Sequence, residues 1–367
     1  MFKRGLDMKK YLVRISLSIF LLLVMSIGLC AKSKIILYSG SLANVNFQMY
    51  SVPVKAGLVI VDKLPIGIIP STIQVLDPDI ESWNYYYDLE NQETLYKRLI
   101  GKQVKIGTDK NAKTMKFLKK NGDDFVFKTK GRVVLNPKGE WSLPTEEFAY
   151  YPCLKMNTKS RSDSKTDVML SYFINTLESN IQYKAEYNDK TEYLELTSLV
   201  YIKNTSGKKF EDVNLEVIAG SPQLKREGRA NLMSLKASGI SVEKLDDYYK
   251  YRIPGLFDIE SNSVMAIPLF EGKRLKAKKI YRYSPNPYFI SKNGETKSEQ
   301  ADILLEIKNK TGFPLAAGKI KIFSRKEFVG EDHLSAFPRG YKKIIKYGKA
   351  FDIIGQRSRV GSKRFSN

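Results

Sequence analysis

Tyr193-Leu194-Glu195-Leu196-Thr197-Ser198-Leu199-Val200-Tyr201-Ile202-Lys203-Asn204 is the stretch on which the fold turns. Leu194, Leu196, Ser198, Val200 and Ile202 alternate with Tyr193, Glu195, Thr197 and Tyr201, the period of an extended strand with one face out of water. The same period recurs on both sides of it. Val45, Phe47 and Met49 alternate with Asn44, Asn46 and Gln48. Val213, Leu215 and Val217 are offset from Asp212, Asn214 and Glu216, and Ile320 and Ile322 from Lys319 and Lys321. A slip by one residue would bury each polar set, so every register is well specified.

Turn chemistry separates these runs. Lys55-Ala56-Gly57, Asn121-Gly122-Asp123, Asn136-Pro137-Lys138-Gly139, Asn204-Thr205-Ser206-Gly207 and Asn309-Lys310-Thr311-Gly312 supply residues that tolerate positive φ or pre-set a turn. The predicted fold is therefore mainly β: two antiparallel β-sandwich or barrel-like domains with one short helix near 91–100. Asn91 caps that helix, Leu95 and Leu99 share a face, and Gly101 takes the left-handed position after it. Asn157 to Thr166 holds ten polar residues and no apolar side chain to offset its ordering entropy, which predicts a linker. The expected organisation is a signal peptide over 1–30, an N-terminal β-rich domain over 31–156, the linker at 157–166, and a C-terminal β-sandwich over 167–355. A basic disordered tail is expected over 356–367, and long loops over 221–241 and 284–300.

The chain carries 61 Lys and Arg against 39 Asp and Glu, a formal charge of +22. Such a balance first suggests nucleic acid. The opening residues argue otherwise. Lys3, Arg4, Lys9, Lys10 and Arg14 precede the uncharged run Ile15 to Ala31, whose end offers Gly28 and Cys30 to a signal peptidase cutting before Ala31. Met8 is an alternative start. Lipidation at Cys30 and an uncleaved anchor are the rival readings, the first weakened by bulky Leu29 where a lipoprotein signal needs a small residue. Removing residues 1–30 takes five positive charges and one negative, leaving +18 and no stable transmembrane span. The expected location is the periplasm or the extracellular side of the envelope. Lysine outnumbers arginine, the residue suited to planar phosphate and base recognition, so nucleic acid is not the expected partner.

Catalytic chemistry is sparse. With the lone histidine His333, neither a histidine pair nor a three-histidine metal site can form. Glu331-Asp332-His333 is the nearest approach to a metal or acid–base cluster, and the adjacent carboxylate pairs (Asp123-Asp124, Glu146-Glu147, Asp246-Asp247) would point to opposite faces of a strand. Cys153 in Tyr151-Pro152-Cys153-Leu154 is a small buried hydrophobe in this pattern. No cofactor or metal is expected. The candidate binding surface consists of Trp83, Tyr85 and Tyr87, an aromatic ladder whose alternative role is to pack the helix down, and of Lys342, Lys343 and Lys346 in the basic stretch 319–367, whose alternative is a solvated tail. The expected partner is an envelope protein or an anionic polymer. The expected role is a non-enzymatic binding or scaffold module, with an envelope hydrolase using carboxylates or a Ser/Lys pair as the alternative.

Several strings resemble a known family in collinear order. Tyr85-Tyr86-Tyr87-Asp88-Leu89 with Leu95 and Leu99-Ile100-Gly101-Lys102 is similar to its "YDL…LL…YIGK" segment. Leu199–Gly207 with Phe210-Glu211-Asp212-Val213, then Ala219-Gly220, Pro314–Ile320, Gly330-Glu331-Asp332 and Gly348-Lys349-Ala350-Phe351-Asp352, follow its later elements. The family is the bacterial exported domain of unknown function 4139, related to the C-terminal domain of mucoidy inhibitor A proteins. The resemblance spans about Lys34 to Val360 and implies an exported, β-rich fold without an activity to carry over. Ile181 and Ser221 depart from the family pattern. Relatives continue for several strands past the Ala350-Phe351-Asp352 string, which implies an uncovered sheet edge near that end.

Overall fold

The computed structural model describes residues 33–40, 42–108, 112–143, 148–159, 161–220, 232–237, 240–245, 248–284, 296–358 and 360. The expected export signal, its cleavage site and Cys30 lie outside them. Strands dominate the described residues, with one α-helix and no closed barrel. Strands are numbered in chain order.

The first large sheet runs β16 (Leu232–Ala237), β17 (Ile240–Leu245), β18 (Tyr248–Ile259), β15 (Phe210–Ala219), β1 (Ser33–Tyr38), β2 (Leu42–Lys55), β3 (Leu58–Val61), β11 (Cys153–Thr158) and β5 (Ile80–Tyr86). Strand β12 (Ser164–Ile174) branches from β2 and also pairs β4 (Gln74–Val75). The second runs β22 (Glu327–Leu334), β21 (Gly318–Ser324), β13 (Leu177–Asn188), β14 (Tyr193–Asn204), β19 (Ser263–Arg282), β20 (Thr296–Lys308) and β23 (Lys342–Ser358). Pairing is mostly antiparallel, but β1 lies parallel to β15 and β13 parallel to β21, so both sheets are mixed.

Sequence alternation decides which residues these sheets bury. Leu194, Leu196, Val200 and Ile202 are all inaccessible, as are Val213, Leu215, Val217, Ile320 and Ile322. Together with Ile35, Val45 and Leu170 they form one continuous apolar core shared by both large sheets. The expectation fails on β2. Phe47 sits at φ 57, where β12 shifts register between Leu170 and Tyr172, and the extra residue inverts the phase of the strand. Phe47 and Met49 therefore face solvent, while Gln48 accepts the hydroxyls of Tyr50 and Tyr172, both at 2.7 Å.

The polar stretch at 157–166 is not a linker between domains. Asn157 and Thr158 end β11, Ser164 to Thr166 begin β12, and both strands belong to the first sheet. Ladder hydrogen bonds need no apolar side chain, and Asp163 Oδ1 further accepts the Ala56 N–H at 3.0 Å across the turn. Likewise, parts of the expected loops are strands β16, β17 and β20, and Gln356 to Ser358 of the expected tail pair with Thr296 to Ser298.

The separate unit is an insertion between β5 and β11. It holds helix α1 (Gln92–Leu99) and a five-stranded sheet ordered β10 (Trp141–Ser142), β6 (Gln103–Ile106), β7 (Lys113–Asn121), β8 (Asp124–Thr129) and β9 (Arg132–Leu135). Asn91 Oδ1 accepts the Thr94 N–H at 2.9 Å, capping the helix as expected, and Gly101 follows at φ 84. Its own core gathers Leu99, Val104, Ile106, Met115, Phe117 and Phe127. Trp141 stands edge-on to Phe125 and Phe127, with ring centroids 5.0 and 4.9 Å apart.

Candidate functional site

A cavity of about 960 Å³ opens where the two large sheets meet. Tyr248, Tyr249 and Tyr251 of β18 form one wall, Pro314 to Lys319 the floor, and Phe337 with Pro338 the far side. Four sets of hydrogen bonds pin it. Tyr251 donates its hydroxyl to the Pro314 carbonyl and Tyr183 to the Ala316 carbonyl, each at 2.8 Å. Leu315 and Phe337 exchange backbone hydrogen bonds at 2.9 and 2.8 Å. Gly40 and Ser179 do the same across the sheet junction, at 2.9 and 2.8 Å. Burial pushes the Tyr183 hydroxyl well above the usual phenol range and the Tyr251 hydroxyl up too, which keeps both as donors.

Two glycines make the close approach possible. A Cβ on Gly318 would lie 2.3 Å from the Ile181 carbonyl oxygen, so β21 can abut β13 only without a side chain there. Gly220, at φ 135, lies under the Tyr248 ring, where a Cβ would be 2.2 Å from the ring.

One rim of the cleft is polar. Gln182, Lys319 and His333 stand in register across β13, β21 and β22. Lys319 Nζ also pairs with Glu331 Oε1 at 3.0 Å. The Glu331-Asp332-His333 cluster is split by strand alternation: Glu331 and His333 point one way and Asp332 the other, accepting the Lys346 N–H at 2.8 Å from β23. Among the described residues no three His, Cys, Asp or Glu side chains gather as metal ligands would.

The residues singled out from the sequence lie elsewhere. Trp83 and Tyr85 pair with Met156 and Leu154 and pack against the main core, so the aromatic ladder holds β5 down and offers no open stacking face. Burial raises the Tyr85 hydroxyl. Tyr87 lies just past β5, half-buried. Lys342 pairs with Glu306 and Lys346 with Asp302, each at 2.9 Å. Lys343 bends back to Ser335 and over the Phe337 ring at 5.7 Å, and desolvation lowers its pKa. These lysines are on β23 and the aromatics on or beside β5, in different sheets, so no joint surface forms. Cys153 is buried and opens onto a smaller cavity of about 360 Å³ beside Asp88, Arg98 and Lys155, where burial pushes its thiol up.

Tyr248, Tyr249 and Tyr251 are not among the sequence-based candidates, whereas Ala219-Gly220 and Pro314–Ile320 stand among the family-like strings. Folding brings those strings to one cleft, with His333 just past Gly330-Glu331-Asp332. Compared with known proteins, the chain matches no family model and no curated protein, so a functional reading must rest on the chemistry of this cleft.

Proposed function

We propose that the protein is an exported cell-envelope module that binds a partner in the cleft between its large sheets without chemically transforming it. The observation that carries this reading is the accessible apolar and aromatic lining of Tyr248, Tyr249, Ala317, Ala336 and Pro338, seated on the buried and pinned Pro314, Leu315 and Phe337. A partner presenting apolar or aromatic groups removes area from water there at about 25 cal/mol per Å². A wall held by hydrogen bonds loses little freedom on binding, which favours affinity. Asn180, Gln182 and Lys319 meet the polar parts of the ligand at the rim. An envelope protein segment suits this lining better than a purely polar polymer.

A hydrolase reading draws on a different place. Glu186 and Glu195 stand directly opposite one another across β13 and β14, in a groove that also holds Lys184 and Lys326. Glu186 Oε1 is occupied by the Lys326 N–H at 2.8 Å.

The test is an envelope capture with tagged wild-type protein and with Ala317→Trp, which fills the cleft from an exposed floor position. The proposal expects a partner retained by wild type and lost by the variant. Equal retention would place binding elsewhere. Hydrolysis of envelope polymers that disappears in Glu186→Gln would favour the enzyme.

A further inference from the structure

The outer face of the five-stranded sheet has no part in the cleft. Its inward positions are Val104, Ile106, Met115, Phe117, Phe127 and Val134, which form or pack on the small core. The alternate positions face out. The register therefore sets Lys105, Lys116, Lys119 and Lys128 on one solvent-facing surface, with Val126, Val133 and Leu135 toward the β9 edge. Val133 and Leu135 are 64% and 60% exposed.

Lys116 lies directly opposite Lys128 in the β7–β8 ladder. Like charges so placed are about 5 Å apart at Cβ and destabilise the pair. Asp124, the carboxylate at an outward strand position, sits at the turn end and is taken by Asn136 Nδ2 at 2.7 Å. Among the described residues none of Lys105, Lys116, Lys119 and Lys128 is paired with a carboxylate, so the sheet gathers cations that its described side chains do not neutralise.

We propose that this face docks on an anionic phospholipid surface. Charge complementarity calls for an anionic occupant, and three further features select lipid among such occupants. The face is the broad side of a five-stranded sheet. Its cations are lysines, point charges that favour a diffuse array of headgroups over planar recognition. Its apolar members are aliphatic and stand at the edge, where they can enter the acyl boundary. A ring-bearing polymer such as single-stranded nucleic acid would call for stacking platforms. The aromatic rings Tyr96, Phe117, Phe125, Phe127 and Trp141 of this unit are on the opposite, core-facing side.

The experiment is co-sedimentation of the whole protein with vesicles of equal parts phosphatidylglycerol and phosphatidylcholine, beside vesicles of phosphatidylcholine alone. Binding is expected to the anionic vesicles at about 0.1 M salt and to be lost near 1 M, where the screening length falls to about 3 Å. The double variant Lys116→Gln/Lys128→Gln is expected to weaken partitioning about thirty-fold, from about 1 kcal/mol per lysine. Val133→Ser/Leu135→Ser should also weaken it, and Ala317→Trp should leave it unchanged, separating this face from the cleft. All substituted side chains are exposed, and circular dichroism verifies that each variant is folded. Equal binding to neutral vesicles, or undiminished binding by the lysine double variant, would overturn the proposal. So would capture by polygalacturonate or a single-stranded oligonucleotide without any vesicle binding.

Discussion

Raising the pH should unfold this protein in a narrow range, and the buried tyrosines set where. Tyr172, Tyr183 and Tyr251 are 1%, 2% and 3% exposed. Each hydroxyl donates within the fold, to Gln48 Oε1, the Ala316 carbonyl and the Pro314 carbonyl respectively. Burial raises all three above the ordinary value of 10.0, so the native state keeps protons that the unfolded chain releases. Their stabilisation is fully present below pH 10 and is lost as pH climbs toward the folded values. Each tyrosine that ionises only on unfolding removes about 1.4 kcal/mol per pH unit, so three remove about 4 kcal/mol per unit. Against a typical total of about 5–15 kcal/mol, one to a few pH units suffice. The assay is tyrosinate absorbance at 295 nm with far-ultraviolet circular dichroism, scanned upward from pH 8. Part of the tyrosinate signal should appear only as the β signal collapses, and Tyr183→Phe should make the stability loss shallower by about 1.4 kcal/mol per unit. A single smooth titration of all 22 tyrosines near pH 10 with an unchanged β signal would refute the burial argument.

Other outcomes follow from particular contacts. Glu216 and Glu243 are buried on the other side of the first sheet, where Lys250 approaches them at 3.7 and 3.3 Å and Arg252 at 3.1 and 2.9 Å. Lys250→Met removes one shared cation but leaves Arg252 and, at Glu216, Lys34 at 3.0 Å, so a loss of about 2–4 kcal/mol is expected in urea unfolding, and a change under about 0.5 would contradict it. Gly318→Ala forces β21 from the Ile181 carbonyl and should cost about 1–3 kcal/mol in the same assay, whereas Gly122→Ala, at an open turn, should cost less. Cys153, with its thiol raised by burial, should react with iodoacetamide far more slowly in native than in denatured protein; equal rates would show the thiol to be accessible.

Wherever side chain and neighbour are close in sequence, the pattern was legible. The helix was fully marked by Asn91, Leu95, Leu99 and Gly101, because capping and left-handed termination involve residues a few positions apart. The asparagine turns were equally plain. Asn204 accepts from Ser206 and Asn309 from Thr311, in each case a bond spanning two residues, and both asparagines also donate to distant carbonyls. The inverted phase of β2 was hidden, since nothing local announces a bulge at Phe47. The polar run at 157–166 misled for a related reason: composition measures side chains, whereas β11 and β12 are held by backbone partners distant in sequence, in β5 and β2.

The candidate site shows the same division. Alternation assigns Ile320, Ile322 and Val217 to the interior because period two is a property of the chain itself. Which interior faces meet is decided by long-range pairing, such as parallel β1–β15 and β13–β21, and no periodicity encodes a partner. The basic surface illustrates it most sharply. Lysines on β23 and on β7 look alike in sequence, yet Lys342 and Lys346 reach Glu306 and Asp302 diagonally on β20, past Lys308 and Leu304 directly opposite them, while Lys116 stands opposite Lys128. Whether a charge is neutralised depends on what the adjacent strand brings within reach of it, and that strand is chosen by packing of the core.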